Sequence, residues 1–306
     1  MRNSTIVVLG CFLLALVAGC GKEPEFEGKP LSHWKEQAKD KSPEFRIQAA
    51  DALGHLGDTP TLVGLLHDDV PVVQAAAVAA LEQIGVPAIP ALAELIRNEK
   101  DSRVRECAFR LLVHVGEPAV PALSKLLRDE EVRSSAASAL GRMGPAAKDA
   151  IPALTELLRD KDKGVRSGAT DALVKIGPAA IPALTELLRD KDTDVRSSAA
   201  RALAEMGATA KDAIPALTEL LRDKDKGVRS GATDALGMMG PAAKDAIPAL
   251  TKSLRDKDEN VRFSAALALG KVGAAAIPAL TELLRDKDEK VRFSAEQALM
   301  RIRSTP

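Results

Sequence analysis

Hydrophobic residues recur along most of this chain with the spacing of paired amphipathic helices, and residues 148–173 show the pattern most clearly. In the first half of this block the apolar residues fall at i, i+3, i+6 and i+7, on one face of a helix: Ile151, Leu154, Leu157 and Leu158. A second apolar face follows the polar stretch RDKDKG: Val165, Ala169, Ala172, Leu173 and Ile176. The pattern therefore predicts two helices, A and B, joined as a hairpin by a polar turn.

The hairpin is repeated, since residues 148–173 recur letter for letter at 211–236. Helix B opens with a hydrophobic residue that is followed by Arg, or by Gln in the second copy. The nine opening residues are Phe45, Val73, Val104, Val132, Val165, Val195, Val228, Val261 and Val291. Alanine always follows four residues later and leucine eight residues later, so we predict nine hairpins whose B helices pack closely.

Recurrent residues also mark the ends of the helices. Proline in the first turn of each helix A lies where its missing N–H costs nothing. Asp three residues before the opening valine is expected to accept from free backbone N–H groups as an N-cap: Asp101, Asp162, Asp192, Asp225, Asp258 and Asp288. Glycine is expected to close each helix B in the left-handed conformation: Gly57, Gly85, Gly116, Gly144, Gly177, Gly207, Gly240 and Gly273.

Composition and charge narrow the possible partners. The chain is 46% hydrophobic but only 2% aromatic, which suits a core of Ala and Leu between helices. The chain has 43 Lys and Arg residues and 43 Asp and Glu residues, so it has no net positive charge that would attract nucleic acid. The variable helix B positions are small or acidic: Ser134, Ser138, Ser167, Thr170, Asp171, Ser197, Ser230, Thr233 and Asp234. We therefore predict no nucleic-acid partner.

The N-terminus differs in kind from the repeats. Arg2 precedes an apolar run, residues 6–17, which is too short to span a membrane and is typical of a signal peptide. The sequence LVAGC at residues 16–20 resembles the lipobox of bacterial lipoproteins. That resemblance implies removal of residues 1–19, a lipid on Cys20, a polar tether at 20–29, and a membrane-anchored protein facing the extracytoplasmic side of the cell envelope. An ordinary secretory peptide with a coincidental cysteine is the alternative.

The repeated pattern IPALTELLRDKDxxVRxxAxxALxxIG, found between Pro30 and Arg303, resembles the short HEAT repeats named after the bilin-lyase subunits. The resemblance implies an all-α, right-handed α-solenoid over residues 30–306, with helices A on the convex side and helices B on the concave side. It also implies a ladder of Asp and Arg hydrogen bonds between repeats. The ladder residues are Asp160, Arg166, Asp190, Arg196, Asp223, Arg229, Asp256 and Arg262.

Catalytic and metal-binding patterns were sought and are missing from the sequence. Deoxyhypusine hydroxylase, a HEAT-repeat relative, binds two irons with His-Glu dipeptides. Here the four histidines precede Trp34, Leu56, Asp68 and Val115 instead. The catalytic residues of bilin lyases cannot be carried over, because the resemblance rests on packing positions. We predict no cofactor, no metal, no small-molecule substrate and no catalytic site.

The two ends of the array depart from the small, polar pattern. Phe263 and Phe293 occupy the same position in adjacent repeats, with Leu267 and Met300 nearby. They could form an apolar strip for a partner, although the simpler interpretation is that they fill space in the last layers. Trp34 is expected to cover the open end of the first repeat.

We interpret the chain as a non-catalytic, lipid-anchored scaffold that holds a protein or peptide partner along its concave face. An enzyme or enzyme-accessory subunit related to the bilin lyases is the alternative.

Overall fold

A computed structural model describes residues 23–304. The predicted signal peptide at residues 1–19 and the predicted lipidation site Cys20 lie outside the described residues. The chain divides into two compact units, the first ending at Ile84 and the second beginning at Gly85. Each unit is a stack of helical hairpins.

The first unit contains a small β-hairpin and two helical hairpins. Its elements are β1 (Glu25–Phe26), β2 (Lys29–Pro30), α1 (Leu31–Gln37), α2 (Pro43–Leu56), α3 (Thr59–Leu65) and α4 (Pro71–Ile84). The helices α2 and α4 are B helices and pack against each other.

The second unit contains seven helical hairpins. Its helices are α5 (Ile89–Asn98), α6 (Ser102–Val115), α7 (Val120–Leu126), α8 (Arg133–Met143), α9 (Ile151–Glu156), α10 (Lys163–Ile176), α11 (Ile181–Leu187), α12 (Thr193–Met206), α13 (Ile214–Leu220), α14 (Lys226–Met238), α15 (Ile247–Ser253), α16 (Glu259–Val272), α17 (Ile277–Leu283) and α18 (Glu289–Ser304). Short 3-10 turns lead into each A helix of this unit. The nine hairpins predicted from the sequence are thus present within residues 23–304.

The β-hairpin corrects the prediction of a tether at residues 20–29. Strands β1 and β2 pair antiparallel, with Phe26 opposite Lys29, around a turn in which Glu27 and Gly28 have φ of 50° and 72°. Phe26 stacks on His55 at 4.4 Å, and its carbonyl accepts a 3.3 Å hydrogen bond from Trp34 Nε1. Trp34 is buried, as predicted, and the hairpin is among its neighbours. Residues 23–29 are therefore folded onto the first repeat.

The core lies between helices A and B and between successive B helices. The alanine four residues into each B helix is completely buried in all nine repeats: Ala49, Ala77, Ala108, Ala136, Ala169, Ala199, Ala232, Ala265 and Ala295. The leucines four residues further along are also buried, which confirms the predicted apolar face.

Glycines within the B helices allow some of these helices to approach each other very closely. A Cβ atom built on Gly237 of α14 would lie 2.9 Å from Ala268 Cα of α16. The equivalent atom on Gly141 of α8 would lie 3.0 Å from Ala172 Cα of α10. Real Cβ atoms essentially never approach within 3.0 Å, so the contact at Gly237 requires glycine, whereas a Cβ at Gly141 would require its neighbour to shift by a few tenths of an ångström.

The predicted aspartate N-caps are confirmed. Asp162 Oδ1 accepts from the amides of Gly164 and Val165 at 2.6 and 3.1 Å. Asp101, Asp192, Asp225, Asp258 and Asp288 accept from the amide two residues ahead in the same way. Free N–H groups at the start of these B helices are thereby paired.

The predicted glycine C-caps are only partly correct. Gly57 is left-handed, with φ 74° and ψ 22°, whereas Gly177 has φ 87° and ψ −146°. Gly85, Gly116, Gly144, Gly207 and Gly273 resemble Gly177, with ψ between −123° and −149°. At these six positions the chain continues into the 3-10 turn of the next helix A, so the extended ψ replaces the left-handed one. Positive φ still favours glycine.

Two helix B positions that we expected at the variable surface are buried instead. Thr170 and Thr233 are 0% exposed, and their hydroxyls donate to the carbonyls of Arg166 and Arg229 at 2.8 and 2.7 Å.

None of the described helices, taken alone, is long and apolar enough to cross a bilayer.

Candidate functional site

The last two B helices carry phenylalanine where the four preceding ones carry serine. The position two residues after the opening valine is Ser134, Ser167, Ser197 and Ser230 in α8, α10, α12 and α14. It is Phe263 in α16 and Phe293 in α18, and these side chains are 59% and 61% exposed. The interpretation that they fill space in the last layers is therefore wrong, because both rings face solvent.

The two phenylalanines line a groove of about 590 Å³ between α16 and α18, here called the phenylalanine groove. Its apolar wall also includes Ala266 and Leu267. Met300, predicted to belong to the same strip, is 51% exposed but does not line the groove. Phe109 is buried and belongs to the core. Three of the four predicted partner-binding residues are therefore brought together.

Charged and polar groups surround this apolar surface. Glu259, Arg262, Glu289, Lys290 and Arg301 line the groove together with two neutral polar side chains, Ser294 and Gln297. The groove is thus lined by three basic and two acidic side chains. A groove with an apolar floor and charged groups around it can bind an extended or helical peptide segment.

Arg262 belongs to the row of arginines that opens the B helices. In six of these arginines Nη1 donates to two carbonyls of the A–B turn that precedes it: Arg46, Arg166, Arg196, Arg229, Arg262 and Arg292. Arg229 Nη1, for example, lies 3.0 and 3.3 Å from the carbonyls of Asp223 and Lys224. Arg262 Nη1 makes the same contacts with Asp256 and Lys257, at 2.8 and 3.3 Å. These bonds tie helix B to the turn before it.

In four of the eight opening arginines the guanidinium reaches the aspartate of the following turn. Arg229 binds both carboxylate oxygens of Asp256, at 2.8 and 2.9 Å. Arg196 contacts Asp223 with Nε and Nη2, at 2.8 and 3.0 Å. The pair Arg133–Asp160, at 3.0 Å, and the pair Arg46–Asp68, at 2.7 Å in the first unit, follow the same rule. Each aspartate also accepts from a backbone amide of its own turn, so it joins two repeats.

Two ladder residues have other partners. Arg166 binds Asp194, at 2.8 Å, and Asp190 is bound by Arg159, three residues after the end of α9, at 2.5 Å. Arg262 forms no ion pair with any carboxylate in residues 23–304, because Asp286, the aspartate of the following turn, is bound by Arg255. The fixed letters of the motif RDKDxxVR are the same in these repeats, so they do not by themselves indicate this exchange.

The ladder holds several carboxylates in their charged form. Burial raises the pKa of Asp256, but the hydrogen bonds from Arg229 and from the Asp258 amide outweigh it, so the pKa lies below its ordinary value. In Asp190 the hydrogen bond from the Asp192 amide has the largest effect and lowers the pKa. Burial raises the pKa, but the Asp192 amide and Arg159 together outweigh burial, so the pKa lies below its ordinary value. In Asp286 the amide of Asp288 and then Arg255 lower the pKa. These aspartates serve the structure of the turns.

Within residues 23–304 no group of three or more His, Cys, Asp or Glu side chains is placed to hold a metal ion.

Comparison with known proteins agrees with this geometry. Stacked hairpins with B helices packed side by side define an all-α protein of the α-solenoid class. A family model described as HEAT repeats matches residues 31–113, 117–204, 181–244 and 242–300, and the chain belongs to the HEAT-repeat family. A comparison with curated proteins finds no match.

Solved structures show the same class of fold. The karyopherin Kap121p matches with a TM-score of 0.58 and 16% identity, over 89% of this chain and 37% of Kap121p. Kap121p bound to the extreme C-terminus of the protein phosphatase Cdc14p matches with a TM-score of 0.57 and 15% identity, over 91% of this chain and 38% of Kap121p. This chain thus spans little more than a third of Kap121p, and the likeness concerns the fold.

The complex of CpcE and CpcF of phycocyanin lyase from Nostoc sp. PCC7120 is also similar. Its TM-score is 0.41, with 24% identity over 49% of this chain and 98% of that chain. A similarity at this level carries no functional argument.

Proposed function

We propose that this protein is a non-catalytic scaffold of the bacterial cell envelope that binds a protein or peptide partner at the phenylalanine groove. The observation that carries the proposal is the exposure of Phe263 and Phe293, 59% and 61%, on adjacent repeats. Large exposed aromatic side chains in a concave surface are enriched where proteins meet. The HEAT-repeat fold is consistent with such a role, and Kap121p offers a precedent in its complex with the terminus of Cdc14p.

The groove has the chemistry of a peptide site. Aromatic rings contribute buried area on binding and lose little side-chain entropy, which makes them frequent centres of binding energy. Ser294, Gln297 and the charged groups around the rings can pair with the backbone and side chains of a bound segment. Four serines at the equivalent position of α8 to α14 offer no comparable apolar surface.

The membrane anchor is part of the proposal and rests on the sequence alone. Lipid on Cys20 would attach the chain to a membrane five residues before the β-hairpin, which begins at Glu25. Replacing Cys20 with Ser is expected to release the protein from the membrane fraction. A variant that still sediments with membranes and is processed in the same way would contradict the anchor.

Site-specific photo-crosslinking tests the binding surface. A photoreactive phenylalanine analogue is introduced at Phe263 or Phe293 of the full chain in cells, and Ser230, at the same position of α14, is the matched control. We expect one discrete crosslinked product at 263 and 293 and none at 230. The product at 263 should also disappear when Phe293 is replaced by Ser. Equal crosslinking at all three positions would contradict the proposal.

A further inference from the structure

Arg262 differs from the arginines that open α8, α10, α12 and α14. Arg133, Arg166, Arg196 and Arg229 each bind a carboxylate of the next repeat. Arg262 makes only its two carbonyl contacts, through Nη1, and its Nε and Nη2 have no carboxylate partner within residues 23–304.

The cause lies in the turn after helix α15. Arg255, two residues after the end of that helix, binds Asp286 through Nε at 3.0 Å and also through Nη2. Asp286 also accepts the Asp288 amide, at 2.9 Å. The carboxylate that the ladder pattern assigns to Arg262 is therefore occupied. Arg262 lines the phenylalanine groove.

A guanidinium beside an apolar surface selects for a particular ligand. It presents a fork of N–H donors that matches a carboxylate and has no acceptor to offer a basic group. Nη1 is already fixed by the turn, so the remaining donors are oriented before a ligand arrives. Arg262, Lys290 and Arg301 outnumber Glu259 and Glu289 among the groove's charged side chains, which also favours an acidic partner.

We propose that the phenylalanine groove binds a peptide segment in which an apolar side chain lies next to a carboxylate, the apolar group contacting Phe263 and Phe293 and the carboxylate pairing with Arg262. The carboxylate can belong to an acidic residue or to a chain terminus. This inference rests on the proposed function and specifies the chemistry of its partner.

The test uses a display library of random twelve-residue peptides, selected on the full chain and counter-selected on the Phe263→Ser, Phe293→Ser double variant. Serine occupies this position in four other repeats, so the double variant is expected to fold. We expect enriched peptides to combine Leu, Ile or Phe with a nearby Asp, Glu or C-terminal carboxylate. Replacing that acid with its amide should weaken binding roughly tenfold, the loss expected for one charge-assisted pair.

Two arginine variants separate the contact from a general effect. In Arg262→Gln the same acid-to-amide change in the peptide should alter the Kd less than about twofold, because the partner of the acid has been removed. Arg292→Gln is the matched control, since Arg292 Nη1 also donates to two turn carbonyls, at 2.8 and 3.1 Å, but Arg292 does not line the groove. Arg292→Gln should bind as the unchanged chain does.

The outcomes distinguish this inference from the proposed function. Peptides that need both phenylalanines but carry no acid, or whose acid is insensitive to Arg262→Gln, would overturn the inference and leave the proposed function standing. Failure to select any peptide that depends on the phenylalanines would overturn both. A chain dimer in sedimentation that the phenylalanine double variant dissolves would show a second copy in the groove and would also overturn the inference.

Discussion

The B helices α8, α10, α12 and α14 have the same packing scheme as the B helices α16 and α18, but the two groups present different surfaces. In both regions the fourth residue after the opening valine is a fully buried alanine. Where the N-cap residue is Asp, its carboxylate accepts a hydrogen bond from an amide in the first turn of the helix. The exposed position two residues after that valine changes from serine to phenylalanine. The comparison teaches that the buried positions set the fold, while a few exposed positions determine what each repeat can bind.

The same comparison applies to the arginines. In α12 and α14 the arginine that opens the helix is almost buried against a carboxylate of the next repeat, whereas Arg262 of α16 has none. A side chain that stabilises the array in the middle is thus available for a ligand near the end. The following predictions test this difference, beginning with the largest effect.

Replacing Arg229 should destabilise the protein much more than replacing Arg262. Arg229→Gln leaves Asp256 with a buried charge that has lost its partner, which costs about 3 kcal/mol. Arg262→Gln removes only contacts to two carbonyls and should cost about 1 kcal/mol. Urea denaturation followed by circular dichroism measures both. Equal losses would mean that the ladder contact seen at Arg229 contributes no special stability.

Replacing Gly237 with Ala should destabilise the protein by about 2 kcal/mol. The new methyl group would meet Ala268 Cα at 2.9 Å, and separating α14 from α16 loses packing. Gly231→Ala in the same helix is the control, because nothing lies within 4 Å of its Cβ position. Alanine is the better helix former, so the control should gain about 0.5 to 1 kcal/mol. Thermal unfolding measures both, and two changes of the same sign would contradict the close approach.

Acid should weaken the array through the ladder aspartates. Their folded-state pKa values lie below the unfolded value of about 3.9, so their stabilisation is present above about pH 4 and is lost as pH falls through the lower, folded pKa. In Arg229→Gln the contribution of Asp256 should shrink, and the acid-induced loss with it. Unfolding free energies measured between pH 6 and pH 2 test the sign. A protein that becomes more stable below pH 4 would contradict this account.

Replacing both phenylalanines with serine should hardly change stability. Both rings are mostly exposed, so each substitution is expected to shift the free energy of unfolding by less than about 0.5 kcal/mol. Urea midpoints of the single and double variants provide the measurement. A loss above about 1 kcal/mol for either single variant would show that the rings support the fold after all.

The sequence predicts the hairpins and their core because the periodic positions repeat in every copy. It cannot predict the ion pairs, as the identical blocks at 148–173 and 211–236 show. Arg166 in the first block binds Asp194, while Arg229 in the second binds Asp256. The residue equivalent to Asp194 in the repeat after the second block is Asn260, which carries no charge. The partner is therefore chosen by the neighbouring repeat and not by the local sequence.

The N-terminal segment and the groove show a similar limit. The polar sequence around Phe26 suggested a tether, but one aromatic ring stacked on His55 and one turn at Glu27 and Gly28 are enough to form a hairpin there. The phenylalanines of the groove were identified from their spacing, yet their exposure depends on how α16 and α18 pack. The spacing in the sequence allows two interpretations, an exposed apolar strip and the filling of space in the last layers. The packing of α16 and α18 decides between them.

The most direct test of the account is the affinity of a groove-selected peptide for the full chain and for the Phe263→Ser, Phe293→Ser variant, measured by calorimetry beside their urea midpoints. The account predicts at least a roughly hundredfold weaker Kd for the variant, as expected when two central aromatic contacts are lost, with midpoints that agree closely. Unchanged affinity in a variant that is equally stable would contradict it.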